Sequence, residues 1–259
     1  MPLSKSGPRG ESSLFLQSVA RALSVLEAFG SNPRPLSLAE LAAATGLDKS
    51  AAQRIAHTLQ QLGYLERDAA RDGLVPGRRL LDRGFDYLRM NPLIERATPI
   101  LFELRRNTGE RVDLSLFDGT TSVYALRLQS KRETFFATLH GRRLPIFCSS
   151  GGRAMLAALP VDEARAILEA CDRRPVTQRT LTDIDLLQEA IAQAREDGYA
   201  LVLEQTLLGE IALSAAVCDN QGRPVAAIHV AGSLSEWREP DFRQRIAPLA
   251  IEAARALSG

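Results

Sequence analysis

The sequence predicts an α+β chain in two parts: a small helical domain closed by a short β-hairpin, then a larger domain with a mostly antiparallel sheet. Three observations predict this. Residues 37–64 hold two helical apolar periods separated by a very short break, and two brief extended runs follow. From Val112 onward apolar residues alternate instead of recurring every three or four. Tight-turn signals, Asp118-Gly119 and Asn220-Gln221-Gly222, join consecutive extended runs, which makes neighbouring strands antiparallel.

The 259 residues suffice for two ordinary domains, and 45% hydrophobic with 24% charged residues describes a packed chain, not a disordered one. A net charge of +1 excludes a polybasic chain. The charge is uneven, however. Residues 1–90 hold 12 Lys+Arg against 9 Asp+Glu, and the remainder 20 against 22, so the basic excess lies in the first part. That asymmetry agrees with nucleic-acid contact there. Cys148, Cys171 and Cys218 have no metal-like spacing, and an odd count points to a reducing cytoplasm. No apolar run approaches the ~18 residues of a spanning helix, so no membrane partner is expected. Residues 1–14 read as a flexible N-terminal tail.

Residues 15–77 form the first domain. Phe15 to Phe29 carries Leu16, Val19, Ala20, Leu23, Leu26 and Ala28 at helical spacing, with Ser18 near its start. Gly30 to Pro35 is a loop. Ser37 with Glu40 three residues on is a capping-box pattern, and Leu38, Leu41 and Ala42 share one face of the helix it opens. Thr45-Gly46 stops that helix, and Asp48 caps the next. There Ala52, Ile55, Ala56, Leu59 and Leu62 make the apolar stripe, while Lys49, Ser50, Gln53, Arg54 and His57 lie mostly off it. Two helices with this break make a helix-turn-helix, whose second helix presents polar side chains to a major groove. An ordinary helical hairpin with a solvated face shares the pattern. The hairpin that follows, Tyr64–Arg67 and Leu74–Val75 around a polar turn, distinguishes them: it is the wing of a winged helix, with Arg67 and Arg71 in reach of backbone phosphate.

Residues 78–91 read as an amphipathic linker helix ended by Asn91-Pro92. Residues 92–259 form the second domain. Its helices are expected at Leu93–Asn107, Arg153–Leu159, Asp162–Ala170, Asp183–Asp197 and Pro240–Leu257. Its strands are expected around 112–116, 123–128, 135–139, 201–203, 211–217 and 225–230, with 144–148 extended. Val112, Leu114 and Leu116 alternate with Asp113 and Ser115 as in a half-buried strand.

At this level the chain resembles the IclR family of bacterial transcription regulators, from about Gln17 to the C-terminus. The segments that carry the resemblance are QSVARALSVLEAF, PLSLAELAAATGLDKSAAQRIAHTL, LGYLERD, LVPGRRLLDRG, VDLSLFDGTTSVYALRL, GRRLPIFCSSGGRAMLA, EDGYALVLEQTLLGEIALSAAV and GRPVAAIHVAG. The resemblance implies a winged helix-turn-helix, a linker helix and a GAF-like effector-binding domain. It also implies homodimers, or dimers of dimers, that bind double-stranded operator DNA. The sequence departs from the family pattern where the effector pocket is expected. The family commonly has histidine at Phe147, threonine at Ser149, a large apolar residue at Gly151, Arg-Cys at Ile211-Ala212, proline at Ala216, and serine at His229 and Ala231. Those departures point away from very small acids such as glyoxylate or pyruvate. Phe147 and Leu213 suggest a site for an apolar or aromatic body.

The expected DNA contacts are therefore Ser18, Ser37, Lys49, Ser50, Gln53, Arg54, His57, Arg67 and Arg71. Lysine and arginine neutralise phosphate or read guanine, and Gln53 can pair bidentately with adenine. Solvated side chains are the plain alternative, for Lys49 and His57 above all. The expected effector contacts are Phe147, Cys148, Ser149, Ser150, Gly151, Gly152, Leu213, Ser214 and His229. Ser149 to Gly152 lies between an extended run and a helix N-terminus, where amides and the helix dipole favour an organic acid. The bland alternatives are a glycine-permitted turn, small buried cysteines and a satisfied core histidine. An enzyme is the competing class: Ser149 or Ser150 with His140 or His229 and an acid such as Asp113 would make a hydrolase. The nucleophile-elbow pattern G-x-S-x-G is missing, as are H-E-x-x-H, a phosphate loop and a dinucleotide fingerprint. No catalytic residue, metal or cofactor is expected.

Overall fold

The computed structural model describes residues 14–130 and 141–259. The tail up to Ser13, the strand expected over Phe135–Leu139, and His140 lie outside the described residues. The chain divides into two compact units, Met1–Tyr87 and Leu88–Gly259. The division falls in the last turn of the linker helix, a few residues before Asn91-Pro92.

In the first unit α1 (Gln17–Glu27) continues as one 3-10 turn (Ala28–Ser31), and α2 (Leu38–Thr45) and α3 (Lys49–Gln61) follow. The capping box at α2 is complete. Glu40 N–H donates to Ser37 Oγ at 3.3 Å, and Ser37 N–H donates to Glu40 Oε2 at 2.9 Å. Gly46 ends α2 in the left-handed conformation at φ 67°, which only glycine adopts without a Cβ penalty. Asp48 caps α3 by accepting from Ala51 N–H at 2.8 Å. The wing is β1 (Leu65–Arg67) paired antiparallel with β2 (Leu74–Pro76). Leu36 adds a bridge, donating to and accepting from Leu74, which ties the α1–α2 loop to the wing. The core is Val25, Phe29, Leu36, Leu41, Ala56, Leu59, Leu65 and Leu74. The apolar positions of α1 divide between two faces: Leu26 and Ala28 pack against this core, while Leu16, Val19 and Leu23 are 65%, 51% and 53% exposed. The helix is apolar on two faces, and periodicity alone does not choose between them.

From Arg79 to Met90 the chain runs as α4 into the second unit. There the order is α5 (Pro92–Thr108), β3 (Arg111–Asp118), β4 (Thr121–Leu128), β5 (Arg143–Pro145), α6 (Ser150–Ala157), α7 (Val161–Ala170), α8 (Ile184–Asp197), β6 (Ala200–Leu203), β7 (Glu210–Cys218), β8 (Pro224–Ser233) and α9 (Glu239–Leu257). The sheet order is β5-β4-β3-β8-β7-β6, antiparallel throughout. On one face α5 and α9 pack against Val112, Leu114, Ile211, Leu213, Ile228 and Val230. The other face carries Ala200, Ala216 and Ala227, which pack with α6, α7 and α8. The central strands are therefore covered on both sides. This overturns the expectation that the 112–116 strand is half-buried: Asp113 and Ser115 are 1% and 0% exposed. Helix α6 also begins three residues earlier than expected, at Ser150, because Ser149 serves as its cap and accepts from Gly152 N–H at 3.0 Å.

Candidate functional site

Two places gather the expected residues. The first is in the N-terminal unit. On α3, Lys49, Ser50, Gln53, Arg54 and His57 are all exposed, because the 3.6-residue period that buries Ala52, Ala56 and Leu59 turns them outward. A cleft of about 690 Å³ lies between this helix, the start of α2 and the wing. Ser37, Gln53, Arg54, His57 and Arg67 line it, together with Gln60, which the sequence reading missed. Gln60 sits one helical turn beyond His57, and that spacing was the signal available. Arg54 also lines a second cleft of about 420 Å³ with Ser18 and Arg21 of α1. It therefore stands on the ridge between the two. Lys49 and Arg71 are exposed but line neither cleft. Ser37 is half-buried and its hydroxyl is engaged by Glu40, so its visible role is to cap α2. Arg67 forms an exposed ion pair with Asp72 at 3.4 Å, which a phosphate can readily displace. The exposed side of α3 is cationic at Arg54, with Arg67 across the cleft, and carries amide and hydroxyl donors at Gln53, Gln60, Ser50 and Thr58. Those are the properties a groove reader needs.

The second place is the sheet face under α6. Alternation puts Arg111, Asp113 and Ser115 of β3 on the same side as Glu210, Ala212 and Ser214 of β7 and His229 and Ala231 of β8. Ser150 Oγ and Ser214 Oγ share a hydrogen bond at 2.6 Å. His229 Nε2 shares one with Ser115 Oγ at 2.7 Å, and its ring lies 5.1 Å from that of Tyr124. Burial holds the His229 imidazole down at about 4, so it is neutral at pH 7. Gly151 faces this ring directly: a β-carbon there would sit under 3.0 Å from two imidazole atoms. The resemblance implies a large residue at 151 and a small one at 229; this chain has glycine and histidine there.

Farther along the strands lies a charge cluster that the sequence reading did not single out. Arg111 Nε donates to Asp113 Oδ2 at 3.1 Å and its Nη2 to Glu210 Oε2 at 2.7 Å. Arg127 donates to both oxygens of Asp113, at 2.7 and 2.9 Å. Burial opposes charge on Arg111, but the two carboxylates hold its guanidinium above the ordinary value. Burial, then the same carboxylates, push the Tyr124 phenol above its ordinary value. Breaking one partner out of such a buried cluster costs about 3–5 kcal/mol. The alternation that places Arg111, Asp113 and Ser115 on one face was legible; that this face is buried was not.

Several expected effector contacts separate from this group. Leu213 points to the opposite face of the sheet, into the α5–α9 core. Phe147 is fully buried among Ile146, Met155 and Leu156. Cys148 packs in the same cluster, and burial pushes its thiol up to about 12. Gly152 approaches the Ile146 carbonyl too closely for any side chain and is a packing glycine. Ser149 is a helix cap. Among the described residues the elements of a hydrolase do not assemble: His229 bonds Ser115 and not Ser150, and Asp113 is held by two arginines.

Family models match both units. One described as "IclR helix-turn-helix domain" covers residues 18–69, and one described as "Bacterial transcriptional regulator IclR C-terminal" covers 85–259. The chain belongs to the IclR family. It is 30% identical to the Pca regulon regulatory protein of Pseudomonas putida over 94% of this chain and 83% of that one. The crystal structure of a candidate transcriptional regulator from Rhodococcus sp. RHA1 matches with a TM-score of 0.79 and 32% identity, over 94% and 97% of the two chains. An IclR homologue from Microbacterium hydrocarbonoxydans, solved with 4-hydroxybenzoate, shares the fold at a TM-score of 0.74 and 23% identity, over 93% and 97%. The chain is thus an IclR-family DNA-binding transcriptional regulator, not an enzyme, with an N-terminal helix-turn-helix and a C-terminal effector domain. No described helix is long and apolar enough to cross a membrane.

Proposed function

We propose that this IclR-family regulator binds operator DNA as a homodimer, or dimer of dimers, in the cytoplasm, and that a small organic carboxylate bound under α6 modulates it. The observation that carries the DNA part is the exposed face of α3 flanked by the wing, with Arg54 at its crest. Gln53, Arg54 and His57 enter the major groove, Arg67 and Arg71 grip phosphate, and Lys49, Ser50 and Ser18 contact the backbone near the helix ends. The exposed Leu16, Val19 and Leu23 of α1 suit a second copy of the chain, and two recognition helices then match a two-fold operator. For the effector, the buried polar group around Ser150, Ser214 and His229 offers hydrogen-bonding partners on a dry face. Ala212 and Ala231 lie beside it on the same sheet face. A ligand shifts DNA affinity only as far as it prefers one conformation over another.

The test is fluorescence anisotropy on the duplex upstream of the protein's own gene. Wild-type protein is expected to bind it in preference to scrambled DNA, with a steep salt dependence, and an added effector acid to change the affinity. Equal binding to both duplexes would overturn the reading.

A further inference from the structure

Helix α3 stands between two clefts, one on each flank. Gln53, His57 and Gln60, one helical stripe, line the cleft on the wing side. Ala51, Ile55 and Leu62, on a neighbouring stripe, line the cleft of about 420 Å³ against α1. Arg54 lines both. From α1 the second cleft receives Ser18, Arg21 and Ala22. Its floor is apolar, and its rim carries the hydroxyls of Ser18 and Thr58 and the guanidiniums of Arg21 and Arg54. No acidic residue among the described ones lines it. Arg21 and Arg54 are both exposed, and neither guanidinium meets an acceptor among the described residues.

Two other clefts of this unit are balanced in charge. On the wing side Asp72 lines the same cleft as Arg67 and pairs with it. The cleft of about 480 Å³ at the C-terminal end of α3 holds Arg78, Arg79 and Arg83, but also Glu66 and Asp82, and Glu66 pairs with Arg78 at 3.2 Å. Of the three, the α1-side cleft alone is lined by one sign of charge. Such a cleft, with low-dielectric walls, focuses its field outward and concentrates counter-ions.

An α-helix is about 10–12 Å across with its side chains, and the major groove is about 12 Å wide. A helix seated there has a phosphate strand along each flank. We propose that α3 is held from both sides: one strand runs past the wing, where Arg67 contacts it, and the other runs over the α1-side cleft. There Arg21 contacts a phosphate, and the apolar floor takes the deoxyribose beside it. This inference rests on the operator-binding reading above and adds the contact to the second strand.

The experiment is anisotropy titration of the full-length protein at several salt concentrations, on the duplex upstream of its own gene and on a scrambled one. Arg21→Gln is expected to weaken both by the same factor, roughly three- to tenfold at low salt, because a phosphate contact carries no sequence. The slope of log affinity against log salt is expected to fall by about 0.9, the value for one phosphate. Arg21→Lys keeps the charge and is expected to restore the slope. A merely structural role would leave the slope alone, and an exposed, unpaired arginine is dispensable to the fold. Single methylphosphonate substitutions, each removing one phosphate charge, then locate the contact. The phosphate to which Arg21→Gln becomes indifferent is expected on the strand across the groove from the one that Arg67→Gln identifies. An unchanged slope in either variant, a loss in Arg21→Gln confined to the upstream duplex, or both variants mapping to one strand would overturn the two-sided grip and leave the operator reading standing. Wild-type protein that binds both duplexes equally would remove the operator reading, while the slope and the strand mapping would still decide the grip. Wild-type protein that binds neither duplex would overturn both.

Discussion

Replacing Gly151 by alanine tests the packing at the centre of the effector domain. The added methyl would come under 3.0 Å from Cε1 and Nε2 of His229 and to 3.0 Å from the Ala227 β-carbon. The imidazole cannot retreat without cost. It is 2% exposed, bonded to Ser115 and stacked near Tyr124. Forcing one methyl into a packed site of this kind costs about 1–3 kcal/mol. For a chain of this length that lowers the thermal midpoint by roughly 2–4 °C per kcal/mol. His229→Ser alone leaves a void and an idle Ser115 hydroxyl, a loss of about 2–4 kcal/mol. Together the substitutions restore space for the methyl, so the double variant is expected to be more stable than the sum of the two losses by at least ~1 kcal/mol. Urea denaturation of the four proteins, followed by the fluorescence of the single Trp237, measures this; Trp237 lies in the same unit and bonds Glu110 at 2.8 Å. Strictly additive losses, or a neutral Gly151→Ala, would show that the methyl and the imidazole do not compete for the same space.

Arg54→Ala is expected to weaken operator binding by roughly 1–3 kcal/mol and to reduce the salt slope by about one, in anisotropy titrations at several salt concentrations. Ser37→Ala removes the α2 capping box and is expected to lower the stability of the N-terminal unit by about 1 kcal/mol in denaturant melts. Glu40, held down at about 2 by its bond to Arg34 and then by Ser37, stabilises above the ordinary carboxylate value of 4.5 and loses that effect as pH falls through about 2. A melt series across that window is expected to be flatter for Glu40→Gln. For His229 the sign follows from burial in the neutral form. Between pH 6.5 and about 4 the unfolded chain binds a proton that the folded chain refuses, so stability is lost as the pH is lowered through that window, by roughly 3 kcal/mol, and His229→Gln flattens the loss.

The N-terminal unit was legible in the sequence almost to the residue. Its signals are local: the Ser37–Glu40 box, Gly46, the Asp48 cap and the polar flank of α3. The bridge from Leu36 to Leu74 was not, because it joins residues 38 apart with no turn between them. In the effector domain, the strand and helix positions followed from alternation and turn residues, whereas the β3–β8 pairing at the centre of the sheet did not. The error at Leu213 and Phe147 came from placing residues by proximity in sequence. Leu213 adjoins Ser214, and in a strand adjacent residues face opposite ways. The Arg111–Asp113–Arg127–Glu210 cluster was missed because charged residues on an alternating strand read as a solvated face. Only the folded structure shows that these side chains are buried.

If the outward face of α3 reads bases, a change at Gln53 must change the preferred operator. Binding sites selected from random duplex DNA by the full-length protein and by its Gln53→Lys variant measure this. Wild type is expected to select an inverted repeat, and the variant to change base preference at one or two symmetric positions while the rest of the site is kept. An identical selected site from both proteins would mean that this face does not read bases.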